Sequence, residues 1–269
     1  MKYGLIHYNA PGRNLVEFLD YAAGAGFDGV ELQSNDVWDE DDDTAEPEAE
    51  AERVRGLCAA RGLIVGAFAA RNNFLVTVPE EVARQVARME RICRLALALG
   101  TNVVRSEGGS ATDAIPQDRW LDAMANCFQR CVPFLEELGV HLGVDNHGVV
   151  TNDAEFQMML LGLVGSKYVG TTMDTMNYRW MGYSIDRCNR FYELSAQRAV
   201  HVHLKDGTGS RSEYRGTVLG EGEIHLAHAV RCLKAAGYSG LWCAEYEGRD
   251  ADGYTRCLEW MKRHVPKIK

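Results

Sequence analysis

Two histidines and a lysine alternate with apolar residues in His201-Val202-His203-Leu204-Lys205-Asp206. Successive side chains on a β-strand point to opposite faces. His201, His203 and Lys205 are therefore expected on one face, and Val200, Val202 and Leu204 on the other. Three more segments end in ionisable residues: Val144-Asp145-Asn146-His147, Met173-Asp174-Thr175 and Cys243-Ala244-Glu245-Tyr246-Glu247. Alternation groups Asp145 with His147, Asp174 with Thr172, and Glu245 with Glu247 and Cys243. A single Asp at a strand end commonly serves as a turn or helix N-cap. A lone His such as His201 is commonly a satisfied core residue, and Glu247 alone reads as a rim residue. The four segments together carry a stronger implication. Carboxylates crowded without a cation repel one another and hold their protons to higher pH. A divalent ion removes that conflict, and three carboxylates with one imidazole suit Mn2+, Mg2+, Co2+ or Zn2+.

These residues must be positioned by something, and the chain alternates short apolar runs with amphipathic stretches, the mark of repeated βα units around a parallel sheet. The spacing predicts strands at Lys2–Tyr8, Gly29–Gln33, Leu63–Ala69, Asn102–Ser106, Val140–Asp145, Tyr168–Met173, Ala199–Leu204 and Gly240–Tyr246. Helices are expected over about Asn14–Gly24, Pro47–Gly62, Pro79–Gly100, Pro116–Leu138, Asp153–Leu163, Ser184–Ser195, His225–Ala236 and Gly253–His264. The clearest starts at Pro79, ends at Gly100, and buries Val82, Val86, Met89, Cys93, Leu95 and Leu97. Eight strands with intervening helices predict an α/β fold, a single (β/α)8 barrel over residues 1–269, whose strand ends converge on one mouth. A doubly wound open sheet is the alternative. It would carry a glycine-rich turn after its first strand, where this chain has His7-Tyr8-Asn9. The block from Asp36 to Glu50, with Asp39, Glu40, Asp41, Asp42 and Asp43, reads as a solvated loop without the pattern of a calcium site.

A formal net charge of -9 disfavours a nucleic-acid partner and fits a small-molecule ligand. The apolar N-terminal stretch is too short for a signal peptide, and no run of about 20 apolar residues suggests a membrane span. The 8 cysteines form no CxxC pair. Reduced buried thiols in the cytoplasm are expected, including Cys127 and Cys131, one helical turn apart. Exposed helices leave room for a homo-oligomer.

With these segments assembled, the chain resembles the xylose isomerase-like barrel superfamily, in particular its sugar phosphate isomerase/epimerase group. The matching segments are GFDGVEL (26–32), VDNHG (144–148), MDT (173–175), HVHLKD (201–206), LGEGEI (219–224) and GYSGLWCAEYEG (237–248). The resemblance implies one divalent cation, Mn2+ favoured, on Asp145, Asp174, His203 and Glu245. Asp145 stands where the family usually has Glu, one methylene longer. The implied chemistry is proton abstraction beside the carbonyl of a keto sugar or polyol, through an enediolate. Glu245 and Asp145 are expected to act as acid and base from opposite sides, with Lys205 and His147 on substrate oxygens. Glu31, Trp38, Arg105, Trp180 and His201 are expected substrate contacts, with Tyr8 and Phe74 as further rings for stacking. Glu107 is a second polar group ending the fourth strand, and Arg211 and Arg215 are cations in the long loop after the seventh.

The same intermediate serves an isomerase or epimerase by reprotonation and a lyase or dehydratase by loss of a β-leaving group, including cleavage of 3-keto glycosides. A DNA repair enzyme of the endonuclease IV type shares the barrel, but it needs several zinc ions and a basic surface. A non-catalytic binding barrel is the remaining class, and it would hold metal without turnover.

Overall fold

The computed structural model describes residues 1–12, 14–41 and 46–269, so Asp42 and Asp43 of the acidic block lie outside the described residues. Among the described residues ten strands run in chain order: β1 (Lys2–Ile6), β2 (Gly29–Gln33), β3 (Ile64–Ala69), β4 (Val103–Ser106), β5 (His141–Asp145), β6 (Val169–Asp174), β7 (Ala199–Leu204), β8 (Asp206–Thr208), β9 (Arg215–Thr217) and β10 (Leu241–Ala244). Eight of them close a parallel barrel in the order β1-β10-β7-β6-β5-β4-β3-β2. The helices between them are α1 (Leu15–Ala25), α2 (Pro47–Ala59), α3 (Pro79–Leu99), α4 (Trp120–Leu138), α5 (Ala154–Val164), α6 (Asn177–Met181), α7 (Ile185–Ser195), α8 (Leu226–Ala235) and α9 (Gly253–His264). The expected single (β/α)8 barrel is the fold observed. Among the described residues no helix is long and apolar enough to cross a membrane. All eight cysteines are free, and Cys127 and Cys131 are core thiols of α4.

The helix boundaries follow from local chemistry. Asn14 and Asp153 accept backbone N–H bonds from the first turns of α1 and α5. Gly100 closes α3 in the left-handed region, at φ 88°. The buried stripe of α3 is Val82, Gln85, Met89, Ile92, Cys93 and Leu99, at helical spacing. Leu97, assigned to that stripe from sequence, is exposed because it lies off this face.

Three regions depart from the sequence reading. The loop after β7 is an antiparallel ribbon of β8 with β9. At its root the buried carboxylate of Asp206 accepts N–H bonds from Gly207, Gly220, Gly222 and Ile224 at 2.8–3.2 Å. That bond set explains the LGEGEI segment, since a Cβ on Gly222 would stand 2.1 Å from Asp206 Oδ1. The β6–β7 register shifts between Thr171 and Thr172, a bulge opposite Val200. Strict alternation therefore fails there, and Val200 turns against the strand glycines Gly143 and Gly170. Lastly, β1 and β10 end before His7 and Glu245, which places both residues in the mouth loops.

The closed end is filled by one side chain reaching over three glycines. A Cβ on Gly4, Gly29 or Gly66 would meet Leu241, as close as 2.4 Å at Gly4 and Gly66. Leu241 thus occupies space that β1, β2 and β3 leave free. Gly66→Ala is expected to cost about 1–3 kcal/mol through overpacking, measured by urea denaturation. Adding Leu241→Ala should recover part of that loss, and a purely additive pair of losses would remove Leu241 as the cause.

Candidate metal centre and mouth cavity

Glu31 is fully buried on β2. Its Oε1 accepts from Arg105 Nε at 2.6 Å, and its Oε2 lies 2.7 Å from His201 Nε2 and 2.6 Å from His203 Nε2. Burial opposes ionisation of Glu31. The His203 imidazole and the Arg105 guanidinium outweigh it and hold the carboxyl well below its usual range. Glu31 and His201 were expected to touch substrate. Here both are enclosed at mid-barrel, with their polar atoms committed to each other, because Glu31 sits within its strand rather than at its end.

Above this hub the ends of β6, β7 and β10 bring Asp174, His203 and Glu245 together, each offering an atom within 4.8 Å of the others. The three are set differently. Asp174 Oδ1 accepts the N–H groups of Met176 and Asn177, which leaves Oδ2 buried without a hydrogen-bond partner. The Asn146 side chain acts as a peptide mimic to the same residue, accepting from Asp174 N–H at 2.8 Å and donating to its carbonyl at 3.0 Å. His203 directs Nε2 to Glu31 and Nδ1 toward Glu245. That Nδ1 is 2.9 Å from Glu245 Oε2 but is left outside hydrogen-bond geometry. Burial, opposed by Lys205 and helped by Glu245, pushes the Asp174 carboxyl up to about 7.

Asp174 and Glu245 oxygens and a His203 nitrogen, within 4.8 Å of one another, fit a divalent cation with mixed oxygen and nitrogen donors. The Glu31–His203 contact is the type of carboxylate bond that orients an imidazole ligand. A second set within reach of one another, Glu31, His201, His203 and Cys243, does not need an ion. Its charges already pair, and burial holds the Cys243 thiol well above its usual pKa.

Asp145 is not in the group of three. Its Oδ2 pairs with Arg105 Nη1 at 3.0 Å, while its Oδ1 is buried and unpartnered. The shorter side chain is thus engaged sideways. His147 is about half exposed, its Nδ1 3.7 Å from Asp145 Oδ2. On the opposite flank, the buried Lys205 ammonium lies 2.9 Å from Glu245 Oε1 and 3.0 Å from Glu247 Oε1, and donates to Asn177 Oδ1 at 3.3 Å. Burial works against that charge, but Glu245, Asp174 and Glu247 raise the Lys205 pKa well above the ordinary value.

A cavity of about 620 Å3 opens over these groups, lined in part by Tyr8, Arg105, Asp145, His147 and Glu245. Trp38 is not in its lining. It packs beside Arg88 and Arg91, whose guanidinium carbons lie 5.7 and 4.8 Å from the ring centroid. Trp180, on α6, is also absent from it and has Arg211 6.0 Å from its ring. Phe74 is a core residue, edge-on to Phe128. Aromatic character alone does not separate a ring over a cavity from one over a core. Glu247, grouped with Glu245 by strand alternation, borders the site beside Lys205, whereas Asn177 and Asn72 were not singled out because a lone Asn gives no periodic signal in the sequence.

Comparison with known proteins supports the fold. A family model described as xylose isomerase-like TIM barrel matches residues 19–264. A xylose isomerase domain protein from Alicyclobacillus acidocaldarius superposes with a TM-score of 0.77 at 20% identity, covering 99% of this chain and 98% of that one. The 3-keto-D-glucoside 4-epimerase YcjR from E. coli gives 0.76 at 17%, covering 97% and 99%. The IolI protein, in a structure with a zinc atom, gives 0.79 at 15%, covering 100% and 99%. No match is found among curated proteins.

Removing one partner from a buried ion cluster leaves the others uncompensated. Glu31→Leu is therefore expected to lower unfolding stability by about 3–5 kcal/mol, measured in urea. A loss below about 1 kcal/mol would show that the hub contributes little.

Proposed function

The chain belongs to the xylose isomerase-like TIM barrel family, and from that premise we propose that it is a divalent-metal-dependent isomerase or epimerase of a keto sugar or polyol. The reaction moves a proton at a carbon next to a carbonyl, through an enediolate. One observation carries this reading: buried Asp174, His203 and Glu245 each offer a ligand atom within 4.8 Å of the others, and Asp174 Oδ2 accepts no hydrogen bond, with only the Lys205 ammonium 3.7 Å away. Asp174, His203 and Glu245 would hold the ion, with Asp145 near its edge. When bound, the ion supplies Lewis-acid polarisation of the carbonyl.

The chain's own groups do the rest. Glu245 is held ionised: burial opposes its charge, and Lys205 and His203 lower its pKa well below the usual range. It is therefore ready to take a proton, and Lys205 beside it stabilises negative charge developing on a substrate oxygen. Asp145, a residue of the cavity lining, would provide the acid or base on the other side. Removing Glu247 would weaken the hold on Lys205 rather than the proton transfer itself. A lyase or dehydratase is the second reading. It is favoured by the half-exposed His147 beside Asp145, suitably placed to protonate a leaving group at the cavity edge.

With Mn2+ and a panel of keto sugars and 3-keto glycosides in D2O, deuterium should appear at a carbon beside the carbonyl, followed by NMR. Neither exchange nor elimination across the panel would refute the proposal. Glu245→Gln should reduce turnover by about 10²–10⁴-fold with the circular dichroism spectrum unchanged. In thermal melts, Mn2+ should raise the Tm of the unaltered protein, chelator should reverse the rise, and Asp174→Asn should lose most of it. An Asp174→Asn protein with the full Mn2+ shift would remove this residue from the ligand set.

A further inference from the structure

Among the described residues Cys232 is the one cysteine that is not buried. It lies on α8 one turn after His228, so the two side chains share a helix face. Cys232 Sγ is 3.6 Å from His228 Nε2. The same nitrogen lies 3.2 Å from Glu193 Oε1, on the neighbouring α7. The Asn189 carbonyl, one turn earlier on α7, also faces it at 3.3 Å. The Asn189 side chain meets His225 Nδ1 at 2.9 Å, which ties the start of α8 to α7. The His228 and Glu193 side chains are 28% and 58% exposed, so solvent reaches the group.

Hydrogen bonding accounts for little of this arrangement. A ring nitrogen either donates one proton or accepts one, and cannot serve a thiol, a carboxylate and a carbonyl together. Sulfur, nitrogen and oxygen donors side by side suit zinc and similar borderline cations rather than Mg2+ or Ca2+. Tetrahedral zinc at its ordinary bond lengths sets a nitrogen ligand about 3.6 Å from a sulfur ligand and about 3.4 Å from an oxygen ligand. The two observed distances, 3.6 and 3.2 Å, match those edges. The edge from thiol to carboxylate is not closed to the 4.8 Å that joins the mouth ligands. Glu193 is the most exposed of the three, and turning its side chain closes that edge, leaving the fourth position to water. Burial and the Glu193 carboxylate raise the Cys232 pKa, with Arg231 opposing more weakly. A bound cation overcomes both effects: the thiol gives its proton to solvent and the thiolate bonds the metal.

We propose that His228, Cys232 and Glu193 form a zinc-type metal site bridging α7 and α8, separate from the barrel mouth. It does not depend on the sugar-converting function above.

The test is titration with Co2+, followed by absorbance. Thiolate-to-cobalt charge transfer absorbs in the near ultraviolet, and the oxygen and nitrogen ligands of the mouth give no such band. The band should appear in the unaltered protein and in Asp174→Asn, and Zn2+ should displace it. In Cys232→Ser it should fall roughly tenfold or more. His228→Gln serves the same purpose if the serine variant does not fold. A thiol-specific disulfide reagent reads the same site in the native protein, because the other seven cysteines are buried. Zn2+ should slow that labelling roughly tenfold or more. No sulfur band, a band that persists in Cys232→Ser, a band lost instead in Cys243→Ala, or labelling unaffected by Zn2+ would each overturn the site.

Discussion

A carboxylate shut inside a barrel must be matched by positive or hydrogen-donating groups, and Glu31 is matched by Arg105, His201 and His203 from two other strands. Taking an ion from water into a low-dielectric interior costs several kcal/mol. The barrel meets that cost by closing strands β2, β4 and β7 on one point. The hub also orients the groups above it. With Nε2 held by Glu31, the second ring nitrogen of His203 faces Glu245 and Asp174. With Arg105 held on one side by Glu31, its Nη1 reaches Asp145 and Glu107 on the other.

The mouth is consequently divided. On the β6, β7 and β10 side, two carboxylates and an imidazole approach closely enough to hold a cation. Lys205 and Glu247 border that side. On the β4 and β5 side, Arg105 neutralises Asp145 and Glu107 but leaves each with an unmet oxygen. Asp145 stands at the boundary, and its short side chain places it with Arg105.

Stability is concentrated elsewhere. The floor, where Leu241 covers three strand glycines, and the ribbon root at Asp206 are satisfied by the chain itself. Buried polar atoms without a hydrogen-bond partner occur in residues around the mouth, at Asn72, Glu107, Asp145 and Asp174, and also away from it, at Arg91, His141 and Asn189.

The residue pattern by itself determined the barrel, because period-2 apolar runs and 3.6-period helices are local properties of neighbouring residues. It also identified the strand ends as the polar layer, since a core does not accept Asp174, His203 or Glu245 without a reason. It did not reveal that Glu31 and His201 serve one another, or that Trp38 and Phe74 lie away from the mouth cavity. The Glu31 hub depends on contacts across 74 to 172 residues of sequence separation, in the Arg105 and His203 bonds to Glu31. Strand register, the bulge at Val200 and the closure of the barrel decide such meetings, and no local periodicity encodes them.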